Sequence, residues 1–301
     1  MPCFADPAAW PRRPADLPAT APPCGALLGD PSAFQIEEVM NPLMLDECGG
    51  LLRADPEKAR AQWQGLEETL RALGLEVEVL PSDPALPDLC FTANPSLSLP
   101  LPEGGSEFWT ARMTFPARRG EVEHHRGFAE RRGLTVRSMP PEVARFEGGG
   151  DGIPHPGRFL LHAGVGPRTE EAAWRALAAS HPGLDVLLYR LADPRFYHLD
   201  TALAALDERT ALFVAAAFSG EGLRLLEAAF GDLIEVPPEE ALRLAANAWC
   251  PDGRHVILQA GCPRTEAALQ KRGFRPLPLE TGEFLKSGGS VYCLKQPLYP
   301  P

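Results

Sequence analysis

An amphipathic helix followed by a glycine and a short strand is the pattern that recurs along this chain. In its first copy, Asp55 and Pro56 are typical of a helix start, as an N-cap followed by proline at the first helical position. The apolar positions that follow at alternating steps of four and three are Ala59, Trp63, Leu66, Leu70 and Leu73. Gly74 suits the left-handed end of this helix, and residues 75–80 then alternate as a strand does.

Four more glycines stand between a helical pattern and a strand pattern. They are Gly133, Gly183, Gly231 and Gly273, so the five glycines are 59, 50, 48 and 42 residues apart. Further apolar segments at 158–162, 211–215 and 255–258 fill the gaps. No unit of this size can bury its apolar face alone, so neighbouring units must stack. The spacing favours a single closed α/β domain of five units, whose closure removes open sheet edges; a plain open α/β sheet is the alternative.

The N-terminal residues do not follow this pattern. Residues 1–32 contain eight prolines and several alanines without apolar periodicity. Such a composition is typical of a loose segment. We therefore predict a flexible arm over residues 1–32 and one folded domain over residues 33–301.

Composition and charge narrow the classes of partner. The 45% hydrophobic content supports a sizeable buried core in 301 residues. A formal net charge of −11 argues against nucleic acid or an anionic membrane as the main partner. No apolar run reaches the roughly 18–20 residues that span a bilayer, and the N-terminus lacks the basic and apolar regions of a signal peptide. We expect a cytoplasmic protein that binds a small molecule.

The seven cysteines are odd in number and widely spaced, and no Cys-x-x-Cys occurs. That usage indicates free thiols in a reducing compartment rather than a disulfide framework or a zinc site. His124, His125 and His255 have no metal-ligand spacing with cysteines or acids either. We expect neither a metal nor another cofactor.

Four polar clusters lie in the connections between the repeated units, at residues 91–94, 146–151, 197–201 and 287–293. Loops on a rigid scaffold are the usual place for catalytic groups. The last cluster ends in Cys293 after a Gly-Gly-Ser turn, where a thiol has no packing reason to lie. With His198 and Glu147, it predicts a cysteine nucleophile, a general acid–base histidine and a carboxylate that orients the imidazole.

Each of these residues has a structural alternative. Cys293 could be a buried structural thiol, and His198 a hydrogen-bonded core histidine. The Gly-Gly-Gly-Asp run after Glu147 could be an ordinary surface turn. The order of the four clusters along the chain is what favours the catalytic interpretation.

The clusters, in this order, resemble those of the guanidino-group-modifying enzymes, the superfamily of arginine deiminase, dimethylarginine dimethylaminohydrolase and glycine amidinotransferase. The resemblance runs from about Phe34 to Leu298. It implies a five-bladed ββαβ propeller, the pentein fold, as a single closed catalytic domain, and it agrees with the five glycines. It also implies that Cys293 is the nucleophile, His198 the catalytic histidine and Glu147 its carboxylate.

The same resemblance suggests residues that bind the substrate. Residues 113–121, with Arg118, and 164–169, with Arg168, resemble the stretches whose arginines bind the substrate carboxylate. A guanidinium pairs two-pronged with a carboxylate, so these residue types suit an amino-acid substrate. A solvated surface pair and ordinary helix-start chemistry are the alternatives. Asp200, in a His-Leu-Asp run, is expected to bind the guanidinium of the substrate.

One position departs from the deiminase pattern. Asn94, in Phe-Thr-Ala-Asn, stands where the deiminases have an aspartate, and it resembles the arginine dihydrolases instead. Asn41, which we expect to bind substrate, and Gln62-Trp63 resemble that branch too. A carboxylate gains much less from a neutral ureido group than from a guanidinium, whereas an amide offers a donor and an acceptor. Asn94 would therefore keep citrulline bound for a second attack, unless it is only a turn residue before Pro95.

Together these residues predict a cysteine-dependent hydrolase of the guanidino group of arginine or a close derivative, acting through a covalent thiouronium intermediate. The resemblance favours an arginine dihydrolase, which yields ornithine, carbon dioxide and two ammonia. The alternatives are a dimethylarginine dimethylaminohydrolase or an arginine deiminase forming citrulline, an amidinotransferase, and a non-catalytic binding protein on the same fold. A homo-oligomer is left open.

Overall fold

A computed structural model describes residues 3–301 of the protein. Its strands are β1 (Cys3–Phe4), β2 (Gly25–Gly29), β3 (Glu76–Leu80), β4 (Ser96–Pro100), β5 (Ser106–Thr110), β6 (Thr135–Ser138), β7 (Gly152–Pro154), β8 (Leu160–Val165), β9 (Asp185–Arg190), β10 (Leu203–Ala205), β11 (Thr210–Phe213), β12 (Asp232–Glu235), β13 (His255–Gln259), β14 (Arg275–Leu279) and β15 (Gln296–Leu298). Its α-helices are α1 (Pro56–Ala72), α2 (Glu121–Arg131), α3 (Gly148–Asp151), α4 (Glu171–Ser180), α5 (Gly220–Ala229), α6 (Pro238–Ala241), α7 (Pro263–Lys271) and α8 (Gly282–Leu285).

Across residues 3–301 the strands form five separate sheets, ordered β15-β2-β3, β4-β5-β6, β1-β9-β8-β7, β10-β11-β12 and β13-β14. Each sheet contains one parallel pair whose strands are joined through a long helix: α1, α2, α4, α5 or α7. In four sheets an antiparallel strand is added, namely β15, β4, β7 or β10. The fifth sheet has a single antiparallel bridge between Trp249 and Ile257 instead. The α/β class and the five helix–glycine–strand units are therefore confirmed.

Helix α1 shows why these units form. The side chain of Asp55 accepts hydrogen bonds from the backbone N–H groups of Glu57 and Lys58, so the helix begins where the sequence predicts it. Its buried residues are Ala59, Trp63, Leu66 and Leu70, which belong to the predicted apolar face. Gly74 has a φ of 82° and turns the chain into β3, because a residue without a Cβ adopts this conformation without strain.

The prediction of a flexible arm over residues 1–32 is wrong for residues 3–32, and its first two residues lie outside the described part of the chain. All five residues of β2 are buried, and this strand lies at the centre of its sheet, parallel to β3 and antiparallel to β15. Further towards the N-terminus, β1 pairs with β9, and Trp10 and Leu17 are buried. The boundary between residues 32 and 33 is therefore no domain boundary.

The prolines of this segment do not mark a loose chain, because several of them lie in ordered turns. Pro7, Pro14 and Pro31 each begin a short 3₁₀ helix, where the missing N–H group has no helical partner to lose. The run that forms β2 is only five residues long and is buried on both faces, so it shows no alternation of polar and apolar positions. Composition alone could not distinguish it from a loop.

The polar clusters hold equivalent positions in the five units. Each of four clusters directly precedes the antiparallel strand of a sheet: Asn94 precedes β4, Asp151 precedes β7, Asp200 precedes β10 and Cys293 precedes β15. Asn247 holds the same position before Trp249 in the fifth unit. Every unit therefore carries a polar loop at the same point of the repeat, directly before its antiparallel strand or bridge. No helix within residues 3–301 is long and apolar enough to cross a membrane.

Candidate active site

Five of the eight predicted site residues line one small cavity. They are Asn41, Asn94, Arg118, Arg168 and Cys293. The cavity measures about 20 Å³, a little more than the roughly 10–15 Å³ that one water molecule requires. The remaining three, Glu147, His198 and Asp200, lie directly behind its wall and are at most 1% exposed. The site is thus assembled but closed over.

Cys293 lies near the end of the loop that leads from α8 to β15, and it is 2% exposed. Its Sγ–H donates to Oδ2 of Asp200 at 3.2 Å, and Nδ2 of Asn247 donates to Sγ at 3.2 Å. The thiol therefore touches one group that accepts its proton and one that stabilises its anion. In the described part of the chain, no hydrogen bond joins this thiol to the imidazole of His198.

Asn247 positions the loop that carries the nucleophile. Its Oδ1 accepts the backbone N–H groups of Ser290, Tyr292 and Cys293 at 3.0 to 3.2 Å. Its Nδ2 also donates to the backbone carbonyl of Asp200 at 2.9 Å. One buried amide thereby ties the turn before Cys293 to the loop that carries Asp200.

Burial opposes the ionisation of both the thiol and its carboxyl partner. Burial, followed by the charge of Asp200, raises the pKa of Cys293 well above its ordinary value. Burial also raises the pKa of Asp200 to about 7, against the opposing effect of its hydrogen bond with Cys293. A cation placed between them would favour the charged forms of both groups. The site therefore gains most from a ligand that carries a positive charge.

His198 has a defined orientation and tautomer. Its Nε2 donates to Oε2 of Glu147 at 2.9 Å, and its Nδ1 faces Nδ2 of Asn94 at 3.5 Å. The Asn94 amide cannot be reversed without loss, because its Oδ1 accepts from Nη1 of Arg118 at 3.1 Å. Nδ1 of His198 is therefore the unprotonated nitrogen, and it lies towards Asn94 and the cavity.

Glu147 is a buried carboxylate with three donors. Its Oε2 accepts from His198 and from Nη1 of Arg168, each at 2.9 Å, and its Oε1 accepts the N–H of Thr114 at 3.0 Å. Burial acts to raise the pKa of Glu147, but the hydrogen bond from His198 and the charge of Arg168 hold it far below its ordinary value. Glu147 is consequently ionised and can stabilise a protonated His198.

The two predicted carboxylate-binding arginines differ in how much of their hydrogen-bonding capacity is free. Arg118 donates from Nε and Nη2 to both carboxylate oxygens of Glu121, each at 2.8 Å, and from Nη1 to Asn94. Arg168 lies over the rings of Phe115 and Tyr197, 4.6 and 4.9 Å from their centroids. Only Arg168 retains several N–H groups for a ligand, because its bonds go to Glu147 and to one backbone carbonyl.

Asn41 belongs to the segment that covers the cavity. Its Oδ1 caps the turn that follows by accepting the N–H of Leu43, and its Nδ2 donates to the carbonyl of Ser287 at 3.0 Å. Nη2 of Arg168 holds the same segment through the carbonyl of Met40 at 2.8 Å. The cover is thus bound on one side to the nucleophile loop and on the other to an arginine of the site.

The sequence interpretation missed three residues of this site: Asp88, Tyr197 and Asn247. Asp88 lines the cavity with a carboxyl that is 6% exposed and whose pKa burial raises. The hydroxyl of Tyr197, which also lines the cavity, donates to the carbonyl of Gly288 at 2.8 Å. The signal for Asn247 was its place in the fifth repeat, although its alanine-rich surroundings contain no second polar residue.

Within residues 3–301, no group of three or more His, Cys, Asp or Glu side chains is arranged to hold a metal ion. The seven cysteines are free thiols.

Comparisons with known proteins agree with this geometry. The model of the family described as N,N dimethylarginine dimethylhydrolase, eukaryotic, matches residues 41–299. The N(G),N(G)-dimethylarginine dimethylaminohydrolase of Mycobacterium tuberculosis is 35% identical over 90% of this chain and 84% of that protein. The bifunctional arginine dihydrolase/ornithine cyclodeaminase AgrE of a Nostoc species is 32% identical over 89% of this chain, which spans 37% of AgrE.

Solved structures show the same similarity. The N-terminal domain of ArgZ bound to substrate, an arginine dihydrolase from the ornithine-ammonia cycle in cyanobacteria, has a TM-score of 0.84 and 28% identity, covering 92% of this chain and 98% of that domain. A dimethylarginine dimethylaminohydrolase adduct with S-methyl-L-thiocitrulline has a TM-score of 0.73 at 23% identity, covering 92% and 100%, and shares the fold.

Fold, site and relatives define a cysteine-dependent hydrolase that acts on carbon–nitrogen bonds of guanidino groups, in the guanidino-group-modifying superfamily. Within it, the chain belongs to the dimethylarginine dimethylaminohydrolase family and lies near the arginine dihydrolases.

Proposed function

We propose that the protein is an arginine dihydrolase, which converts L-arginine and two water molecules to ornithine, carbon dioxide and two ammonia. The observation that carries this proposal is the amide of Asn94. It shares a cavity with Cys293 and is held between Arg118 and His198. An amide has no preference for a charged ligand, so it suits both arginine and the neutral citrulline that one round of hydrolysis leaves.

The substrate activates the nucleophile. A guanidinium beside Asp200 and Cys293 favours the carboxylate and the thiolate, which burial otherwise disfavours. The thiol proton passes to Nδ1 of His198, and the sulfur forms a bond to the guanidinium carbon. His198 then protonates one terminal nitrogen, which leaves as ammonia, so that a thiouronium group remains on Cys293.

Water completes the first round. Neutral His198, with Nε2–H bound to ionised Glu147, accepts a proton from water as the hydroxide adds to the thiouronium carbon. The carbon–sulfur bond breaks, the sulfur of Cys293 leaves as a thiolate and takes the proton of the hydroxyl group, and citrulline forms. His198 loses its proton to solvent and becomes neutral again. A second attack on the ureido carbon releases the second ammonia, and hydrolysis of that adduct yields ornithine carbamate, which loses carbon dioxide.

The other end of the substrate lies against the cover. Arg168 keeps N–H groups for the α-carboxylate, and Asn41 has a second donor on its Nδ2. Arg118 contributes its one remaining Nη1 proton but acts mainly by holding Asn94. The carboxylate of Asp88 suits the α-ammonium group. Because the cavity holds about one water, segment 40–44 must move before arginine enters.

The five sheets are the blades of a propeller around this site. Support comes from contacts between antiparallel strands of successive sheets, since β15 touches β4, β4 touches β7 and β7 touches β10. The sheet of β13 and β14 is flanked on both sides, because α7 contacts β12 and α1 contacts β14. An experimental structure in which these sheets follow one another without closing would contradict the arrangement.

Product stoichiometry tests the function. The purified protein is expected to release two ammonia per arginine, with ornithine as the final product and citrulline only as a transient. One ammonia per arginine with accumulated citrulline would contradict the dihydrolase and leave a deiminase. Cys293→Ser is the matched control, since an alkoxide is far harder to form than a thiolate, and it should be slower by about a thousandfold or more.

Dimethylarginine hydrolysis is the second candidate, favoured by the matching family and by the relative at 35% identity. It predicts dimethylamine and citrulline from dimethylarginine. Both substrates should therefore be assayed in parallel with the same enzyme preparation, and the larger kcat/KM decides between them.

A further inference from the structure

A second cavity, separate from the substrate cavity, is lined by three arginines. It measures about 420 Å³, within the roughly 300–1,000 Å³ that is usual for small-molecule sites. Arg112, Arg119 and Arg126 line it together with a single carboxylate, that of Glu123, and none of the predicted site residues does. The chain as a whole carries a formal net charge of −11. The cavity therefore concentrates positive charge on a protein that is otherwise acidic.

Two of these arginines form no ion pair with any carboxylate within residues 3–301. Arg112 donates to three backbone carbonyls of the loop at 139–143, at 2.7 to 3.1 Å, so its guanidinium is held in place but keeps its charge. Nε of Arg119 donates to the carbonyl of Met113 at 3.4 Å, and its two Nη groups have no partner among the described residues. A guanidinium with free N–H groups pairs readily with a carboxylate or a phosphate.

The third arginine is fixed by hydroxyl groups. Nη2 of Arg126 lies 3.5 and 3.3 Å from the hydroxyl oxygens of Thr110 and Ser138. Its Nε is 3.5 Å from Oε2 of Glu123, whose side chain is 72% exposed. An exposed ion pair at this distance neutralises the guanidinium only weakly. The cavity thus offers three guanidinium groups to a ligand.

The same cavity has an apolar wall. Ala111, Met113 and Val122 form a small buried cluster of their own, and they line the cavity with Met139. Apolar surface beside guanidinium groups favours a ligand that joins an anionic group to an apolar part. A bare inorganic ion would use only half of what these residues offer.

The wall of this cavity also positions the catalytic carboxylate. The backbone of Arg112 pairs with that of Phe146 in both directions, at 2.7 and 3.1 Å, directly before Glu147. The N–H of Thr114 donates to Oε1 of Glu147 at 3.0 Å. An anion held between Arg112 and Arg119 would therefore contact both ends of the segment that holds Glu147.

We propose that this cavity is a second binding site, for a small organic oxyanion, a carboxylate or a phosphate with an apolar part. Its occupant orders segment 112–119 and with it the backbone that holds Glu147. The site goes beyond the proposed hydrolysis. Its test requires no turnover, so its outcome is independent of which guanidino compound is the substrate.

Calorimetric titration with four probes tests the class of ligand. Phenyl phosphate or benzoate is expected to bind once per chain with a Kd of about 1 mM or lower, and the better of the two shows whether the site takes a phosphate or a carboxylate. Inorganic phosphate lacks the apolar part and should bind at least about tenfold more weakly. Benzyl alcohol lacks the charge and should not bind. Saturable binding by neither aromatic anion, or equal binding of benzyl alcohol, would overturn the proposal.

Two substitutions of opposite charge effect test the site itself. Arg119→Gln removes an unpaired guanidinium and should raise the Kd of the aromatic anion by about tenfold. Glu123→Gln removes the opposing carboxylate and should lower the Kd by about threefold. Arg131→Gln, at an exposed arginine of α2, is the matched control and should leave the Kd unchanged. If Arg119→Gln does not fold, Arg126→Gln takes its place. An unchanged Kd in both charge variants would contradict the site.

Hydrogen exchange distinguishes this site from the substrate cavity. The aromatic anion should slow exchange in peptides that cover segment 112–119 and leave the cover at 40–44 unchanged, and Arg119→Gln should remove the effect. An anion bound in the substrate cavity would instead protect the cover and would be displaced by saturating ornithine. Either of those two results would place the anion in the substrate cavity and overturn the proposal.

Discussion

The amide of Asn247 holds Cys293 at two points: Oδ1 accepts the backbone N–H of Cys293 at 3.2 Å, and Nδ2 donates to its Sγ at 3.2 Å. The same oxygen accepts the N–H groups of Ser290 and Tyr292. One side chain therefore sets the backbone of the nucleophile loop and supplies a hydrogen-bond donor to the sulfur. Such a donor is worth more to a thiolate than to a thiol.

Asn247→Ala should cost both activity and stability. Three buried N–H groups would lose their acceptor, so we expect the free energy of unfolding to fall by at least about 2 kcal/mol. We expect kcat/KM to fall by about a hundredfold, because the thiolate loses a fixed donor. Urea unfolding and steady-state kinetics measure the two effects.

Asn247→Asp is the matched comparison. It keeps an acceptor for the three N–H groups but places a carboxylate beside the sulfur, which should raise the pKa of Cys293 further and slow its alkylation. An Asn247→Ala variant with unchanged kcat/KM and unchanged stability would contradict the assigned role.

The repeated units could be predicted from sequence because their signals are local. Asp55, Gly74 and the apolar steps between them determine a helix and its two ends without reference to the rest of the chain. The polar clusters before β4, β7, β10 and β15 were also local, since each combines several polar residues with glycine or a turn. Asn247 was missed because it stands alone among alanines, and only its position in the repeat marks it.

Other features depend on contacts between distant residues, which local patterns do not contain. Arg118 has the chemistry of a carboxylate binder, but the carboxylate that occupies two of its nitrogens is Glu121, and a third nitrogen donates to Asn94. The hydrogen-bond partners of the Cys293 thiol are Asp200 and Asn247, each at 3.2 Å, and not the expected His198. Residue types predicted which side chains lie together, whereas their pairing required the structure.

The N-terminal segment should be needed for stability but not for chemistry. The indole N–H of Trp10 donates to Asp185 at 2.8 Å, and Nε of Arg12 donates to the same carboxylate at 2.9 Å. Because Trp10 is buried, Trp10→Ala should lower the free energy of unfolding by about 3–5 kcal/mol, with an unchanged kcat/KM for the folded protein. Thermal and urea unfolding test this, and an unchanged Tm would support the flexible arm after all.

Glu147→Gln should remove the charge that His198 and Arg168 share. The buried guanidinium of Arg168 would lose its counter-charge, which typically costs about 3–5 kcal/mol at neutral pH. We expect kcat to fall by about a hundredfold or more, because a neutral amide stabilises imidazolium poorly. Glu142→Gln, at an exposed glutamate, is the control and should change neither quantity.

The pH dependence of stability provides a second signature of Glu147. Its folded pKa lies below the ordinary value of 4.5, so its contribution to stability is present above about pH 4.5 and is lost as the pH falls below that value. The wild type should therefore lose stability between pH 5 and the acid range, and Glu147→Gln should show a flatter curve. Equal slopes for the two proteins would contradict the ionised, paired state of Glu147.

The titration of Asp200 should change stability with pH in the opposite direction to that of Glu147. Its folded pKa of about 7 lies above the ordinary 3.8, so folding favours the protonated form, and stability falls as the pH rises from about 4 to 7. Asp200→Asn has no proton to lose, so its Tm should exceed that of the wild type increasingly from pH 5 to pH 8. The kcat/KM of Asp200→Asn should be lower than that of the wild type, and it should no longer fall as the pH drops below about 7. Parallel Tm curves would show that Asp200 does not titrate in this range.

Asn94→Asp should change the product rather than abolish the reaction. A carboxylate at this position can still accept the hydrogen bond from Arg118, and it attracts the guanidinium of arginine. It gains much less from the neutral ureido group of citrulline, and it loses the N–H that faces Nδ1 of His198. We therefore expect ammonia per arginine to fall from two towards one, with citrulline accumulating and with kcat/KM for citrulline reduced by about tenfold or more. Two ammonia per arginine from Asn94→Asp, measured against the wild type with both substrates, would show that the amide does not retain citrulline for the second attack.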